Sequence, residues 1–192
     1  MNRKVLTAIA LAAGLGFVTA AQAAPIAAGS NLSLHGNDTY TATATSFSIT
    51  FSPPMQITAT NGSFTVLNPL PVTATMNTNP LTNTTAAGFS LYSATDGTGH
   101  STDLVAASIT SFVYTPGLVP SLTVNGAGTL DLTGFSPTPG NFSITTQGPT
   151  GATVTFSATS IAAAVPEPAS LTLLGSALIG LGWLGRRRRK TV

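Results

Sequence analysis

The stretch Val105-Ala106-Ala107-Ser108-Ile109-Thr110-Ser111-Phe112-Val113-Tyr114 decides how this chain is read. Val105, Ala107, Ile109, Ser111 and Val113 alternate along it, with Phe112 and Tyr114 on the other side. A period of two built from β-branched and aromatic residues indicates a strand and not a helix. The pattern recurs outward in both directions. Phe47, Ile49 and Phe51 share a face with Ser48 and Thr50 opposite, and Ile57 and Ala59 resume it after Ser52-Pro53-Pro54. Phe64 and Val66 follow Asn61-Gly62, a hairpin-turn signal; Val72, Ala74 and Met76 form the next set, Phe89 and Leu91 another. Downstream, Leu122 and Val124 match Leu130 and Leu132 across Asn125-Gly126-Ala127-Gly128. Phe142 and Ile144 lead through Gln147-Gly148-Pro149-Thr150-Gly151 to Val154, Phe156 and Ala158. Roughly nine or ten short strands at this spacing predict an all-β fold, a single antiparallel β-sandwich.

Composition agrees with strands. Between Ala24 and Val165 the chain has 29 Thr and 16 Ser but no Glu, Trp, Lys or Arg. Thr favours strands, and the regularly placed apolar residues argue against disorder. All eight phenylalanines of this region lie in or beside the alternating runs. The chain has no cysteine, so an exported domain of this kind relies on its core alone.

The charges are confined to particular places. The chain carries 7 Lys+Arg against 5 Asp+Glu, a net of +2. Every cation lies near an end: Arg3 and Lys4, then Arg186, Arg187, Arg188, Arg189 and Lys190. The middle holds only Asp38, Asp96, Asp103 and Asp131. A nucleic-acid groove needs several phosphate-neutralising cations, so nucleic acid is excluded as a partner of this region.

The ends read as targeting segments. Residues 1–23 combine Arg3 and Lys4 with an apolar run from Val5 to Val18, then Ala21-Gln22-Ala23. As a helix the run would be about 21 Å long, short of the ~30 Å hydrocarbon core. The small residues Ala21 and Ala23 suit signal peptidase, with cleavage after Ala23. At the other end, Val165-Pro166-Glu167-Pro168-Ala169 precedes a short apolar stretch carrying Leu171, Leu174, Leu178, Ile179, Leu181, Trp183 and Leu184. From Ala169 to Gly185 it would span about 25 Å as a transmembrane helix, near the lower limit for crossing. Trp183 suits the interface, and Arg186, Arg187, Arg188, Arg189 and Lys190 would stop transfer and stay in the cytoplasm. Prolines on both sides of Glu167 keep that segment extended.

Residues 165–192 closely resemble the PEP-CTERM sorting signal, with a Pro-Glu-Pro motif, a hydrophobic helix and an Arg-rich end in that order. The same tail is also labelled an ice-binding protein C-terminal domain, which describes the tail and not an activity. The Leu-Pro-x-Thr-Gly of sortase substrates is absent, and a GPI signal does not normally end in four arginines. The resemblance implies processing by an exosortase near Pro166, Glu167 and Pro168. It implies export across the inner membrane of a Gram-negative bacterium that makes exopolysaccharide, transient anchoring there, and release or attachment at the cell surface. The chain thus divides into a signal peptide (1–23), a passenger domain (24–164) and a sorting signal (165–192).

Catalytic chemistry is sparse in the passenger. Without Glu, paired carboxylates would have to come from four Asp, and only Asp96 and Asp103 are near neighbours. Their segment, Asp96-Gly97-Thr98-Gly99-His100-Ser101-Thr102-Asp103, is a weak candidate for a hard cation and lacks the EF-hand spacing. Ser101, His100 and Asp103 are too close together on one loop to build a triad. No catalytic residue and no cofactor is therefore nominated. Thr pairs at 41–45, 58–60, 73–75 and 153–155 resemble ice-binding ladders but lack the sustained period of a solenoid. The expectation is a non-enzymatic exported protein with a structural or adhesive role in the extracellular matrix. The alternative is a carbohydrate- or exopolysaccharide-binding module, with ice binding a more distant one.

Overall fold

A computed structural model describes residues 23–148 and 152–161. Nine strands follow one another: β1 (Asn31–Ala42), β2 (Phe47–Asn61), β3 (Val72–Met76), β4 (Leu81–Thr82), β5 (Tyr92–Thr95), β6 (Ser101–Thr115), β7 (Ser121–Leu132), β8 (Thr138–Gln147) and β9 (Ala152–Ser160). They form one sheet in the order β1-β9-β8-β7-β6-β5-β3-β2, and β2 pairs back onto β1. The result is a closed antiparallel barrel of eight strands, with the two-residue β4 attached to β2 outside the ring. The expected sandwich is corrected here. Alternation requires only that each strand have one dry and one wet face. The pairing of β1 with both β2 and β9, for example Asn31 with Asn61 and with Thr159, joins the two edges a sandwich would leave open.

An eight-stranded barrel has an interior that side chains just fill. Leu32, Leu34, Ile49, Ile57, Tyr92, Leu104, Leu122, Val124, Leu130, Ile144, Val154 and Phe156 are all buried in one continuous core. Tyr92 and Phe142 pack on Phe156, with ring centroids 5.4 and 6.1 Å away, and the Tyr92 hydroxyl lies 3.3 Å from Thr102 Oγ1. All eight phenylalanines between Ala24 and Val165 belong to this core or pack against it.

The two poles differ. One, the base, carries the entry segment around Ile26, the exit at Ile161, the 3-10 turn Gly62–Val66 and the Asp96–His100 turn. Ile26, Phe64 and Leu67 are buried there, and Ile26 N–H donates to Thr138 Oγ1 at 2.9 Å. The other pole, the tip, carries the Thr43–Ser46 turn, the loop around β4, and the long β6–β7 hairpin. Among the described residues every ring strand and every core residue lies between Ile26 and Ser160, so that span supplies both the wall and the core of the barrel.

Three local expectations are also corrected. Phe64 and Val66 lie in the 3-10 turn and not in a strand, because Gly62 takes φ +64 and turns the chain. Asn125-Gly126-Ala127-Gly128 is the middle of β7 and not a turn. A Cβ at Gly126 would strike the Phe142 ring and the Ser108 carbonyl oxygen, so glycine here admits a neighbour's aromatic ring. The opening stretch does not keep one phase. Irregularities between Val105 and Ser108 and between Ile109 and Ser111, with Ala106 at φ +49, turn Leu104 and Ala107 inward and leave Val113 60 % exposed.

The signal peptide of residues 1–23, with Ala21, lies almost wholly outside the described residues, as do the sorting motif, the anchor from Leu171 to Leu184 and the stop-transfer cations. Among the described residues no helix is long and apolar enough to cross a membrane.

Candidate functional site

Asp96, the first candidate, follows β5 directly and begins the turn into β6. Its Oδ1 accepts from Thr98 N–H (2.8 Å), Thr98 Oγ1–H (2.8 Å) and His100 N–H (2.9 Å). Its Oδ2 accepts from Asn68 N–H at 3.1 Å and lies 3.2 Å from His100 Nδ1. Burial opposes the charge, but the Thr98 hydroxyl and the three backbone N–H donors outweigh it. The carboxyl is held well below its ordinary value. Its acceptor capacity is spent on the protein itself, binding the Asn68 segment to the turn.

Asp103 does not join it. In the register Asp103 stands between Ser93 on β5 and Asp131 on β7, with the two carboxylates directly opposite. Burial first, and the Asp131 charge second, push the Asp103 carboxyl up. The weak cation candidate therefore separates into a saturated turn and a repelling cross-strand pair. Among the described residues no group of three or more His, Asp or Glu is placed to hold a metal ion. His100, 40 % exposed at its side chain, belongs to the Asp96 turn, and Ser101 instead bonds to Thr133 across the hairpin.

Sequence reasoning missed Asp38. It lies on β1, fully buried, with Thr146 Oγ1–H donating to its Oδ1 at 2.8 Å and no partner for Oδ2. Burial raises its carboxyl above the ordinary value, and the bonds from Thr146 and from its own backbone offset this only in part. The one available signal was an Asp in the middle of an alternating strand.

An organised surface lies on the outer wall of β1, β9, β8, β7 and β6. Cross-strand pairing sets Ser33, Ser157, Ser143, Asn125 and Ser111 in one row, and His35, Thr155, Thr145, Thr123 and Val113 in the next. Apart from His35 and Val113 the rows carry hydroxyls and an amide, with no Asp, Glu, Lys or Arg. A shallow depression of about 360 Å³ on this wall is edged by Thr110, Asn125, Asn141, Ser143, Ser157 and Thr159. Asn125 belongs to it because β7 runs straight where a turn was expected. The Thr pairs, in contrast, lie on β1 and its turn, β2, β3 and β9 of a curved wall, and so form no single flat ladder.

No curated protein and no solved structure matches the chain. The family model of the PEP-CTERM protein-sorting motif matches residues 164–189, so its information concerns the route of the chain and not the chemistry of the barrel. By that match the chain carries a PEP-CTERM sorting motif behind its β-barrel, which implies export and processing by an exosortase.

Proposed function

We propose that this chain is an exported surface or matrix protein, anchored transiently in the inner membrane through residues 169–185 and released or attached after exosortase processing, with a non-catalytic structural or adhesive barrel. The observation that carries the reading is the sorting motif at 164–189, placed after a barrel without Lys, Arg, Glu or Cys. Signal peptidase and exosortase are its partners during export. Mass spectrometry of the mature protein tests the route. The expected C-terminus lies near Pro168, and a surface form that keeps Arg186 to Lys190 would overturn it.

A second reading is supported by the uncharged rows of the outer wall. Rows of hydroxyl and amide groups around the Asn125–Asn141 depression can exchange hydrogen bonds with a neutral polysaccharide without repelling or attracting charge. The barrel has no Trp to stack on a sugar ring, so binding would rest on many weak polar contacts. Electrophoresis of residues 24–161 through gels containing a neutral glucan is expected to show retardation, reduced in Asn141→Ala. Unchanged mobility at saturating glucan removes the binding reading and leaves the structural one.

A further inference from the structure

Closure leaves a long stretch of β6 unpaired on one side. On the side away from β7, β6 pairs with β5 only over Ser101–Leu104, and a last bridge joins Ala107 to Phe89. Gly88 N–H donates to the Ala107 carbonyl at 2.8 Å, and Ala107 N–H to the Phe89 carbonyl at 2.8 Å. Above Ala107, no described residue pairs its backbone with that side of β6. From Ser111 to Thr115 the strand is nevertheless regular, paired residue for residue with β7 from Asn125 to Ser121. An unpaired, regular edge is a template for another strand.

Five observations define what this edge fits. Thr110-Ser111-Phe112-Val113-Tyr114-Thr115 has no Gly, Pro or charge, and is rich in β-branched and aromatic residues. No charged residue occurs anywhere from Leu104 to Leu130, so two copies of this hairpin would not repel each other. The hairpin ends in an apolar tip, with Leu118 fully exposed and Val119 67 % exposed. The tip is also held in place: Tyr40 Oη–H (2.8 Å) and Gly148 N–H (2.9 Å) both donate to the Pro120 carbonyl, so little ordering is left to be lost on binding. Finally, a groove of about 410 Å³ runs beside the unpaired edge, lined by Asn83, Thr85, Ala87, Ile109 and Phe112 among others.

We propose that this edge is a self-association site, and that its occupant is a second copy of this chain, joined β6 to β6 in an antiparallel pair about a two-fold axis near Val113. In that register Leu118 falls beside Ser108 of the partner subunit, at the groove. Each copy then contributes a strand edge, a leucine plug and the groove that receives the other plug. Such an interface is self-complementary and closes at two copies. Pairing also covers the only long unprotected edge among the described strands, which has neither the lysine nor the proline that usually blunts one.

The test is sedimentation velocity on residues 24–161 across a concentration series, with Val113→Lys, Leu118→Lys and, as a control on the outer wall, Thr153→Lys. Val113 and Leu118 are exposed, so both variants are expected to keep the wild-type circular dichroism and Tm. The expected result is a wild-type monomer–dimer equilibrium whose midpoint moves to at least roughly ten-fold higher concentration in Val113→Lys and Leu118→Lys, and stays in place in Thr153→Lys. A wild type that remains monomeric, a dimer indifferent to Val113→Lys, a loss shared equally by Thr153→Lys, or masses that grow without limit would each overturn the proposal. So would a monomer that floats with neutral phospholipid vesicles through Leu118, since the tip would then belong to a lipid surface.

Discussion

Replacing Phe156 with Ala is expected to cost the barrel about 3–5 kcal/mol, a large part of the ~5–15 kcal/mol a domain of this size possesses. Phe156 is fully buried on β9, opposite Leu34 on one side and Ile144 on the other. Tyr92 meets its ring edge-on and Phe142 packs alongside. In a closed ring the walls are joined to each other by backbone hydrogen bonds and cannot fold inward over a void. The cavity term therefore adds almost in full to the lost transfer energy. Urea denaturation would show this as a lower midpoint at unchanged slope. A loss below about 1 kcal/mol would mean that the wall collapses, contrary to the geometry of closure.

Asp38→Asn is expected to act in the opposite direction and to depend on pH. The Asp38 carboxyl is raised in the folded barrel, chiefly by burial. The folded state thus holds its proton to a higher pH than the unfolded chain, whose Asp titrates near 3.9. Whatever stability this contributes is complete below that value and is lost as pH rises through the raised one. At pH 8 the variant should exceed wild type by about 1–2 kcal/mol, because the unpartnered Oδ2 no longer has to hold charge in a dry interior. At pH 4 the difference should shrink below ~0.5 kcal/mol. Thermal melts of both proteins at the two pH values decide it, and an equal gap at both would refute the assignment to Asp38. Asp96 behaves in reverse. Its lowered carboxyl contributes stability above the unfolded value that is lost only as pH falls through the folded one.

Much of the core was legible from alternation. Phe47, Ile49 and Phe51, Leu122 and Val124, Leu130 and Leu132, Phe142 and Ile144, and Val154 and Phe156 are all buried on one face of their strands. The ring was not legible. Its deciding contacts, such as Leu34 with Phe156, join positions more than a hundred residues apart, and alternation carries no information on which strand lies beside which. The phase of β6 was also hidden, because a bulge adds one residue without any compositional mark. Gly126 misled for a related reason. Asn-Gly suits a turn, but a glycine in mid-strand can equally make room for an aromatic ring from the next strand. At the candidate site, the Asp96 loop was identifiable as polar, but its saturation depended on Asn68, which comes from a segment remote in the chain. The tail was the most readable part, since its signal is linear and needs no folding to be recognised.

The opposition of the two poles has a mechanical consequence. The chain leaves the barrel at Ile161 at the base, while the β6–β7 tip stands at the far end. A load applied between them passes from β7 to β8 to β9 along strands that run from one pole to the other. The hydrogen bonds joining these strands run across that direction. They are therefore strained together, in shear, and not opened one after another as in a zipper. Held at one end and gripped at the other, the barrel would behave as a stiff link able to pass tension on without unravelling.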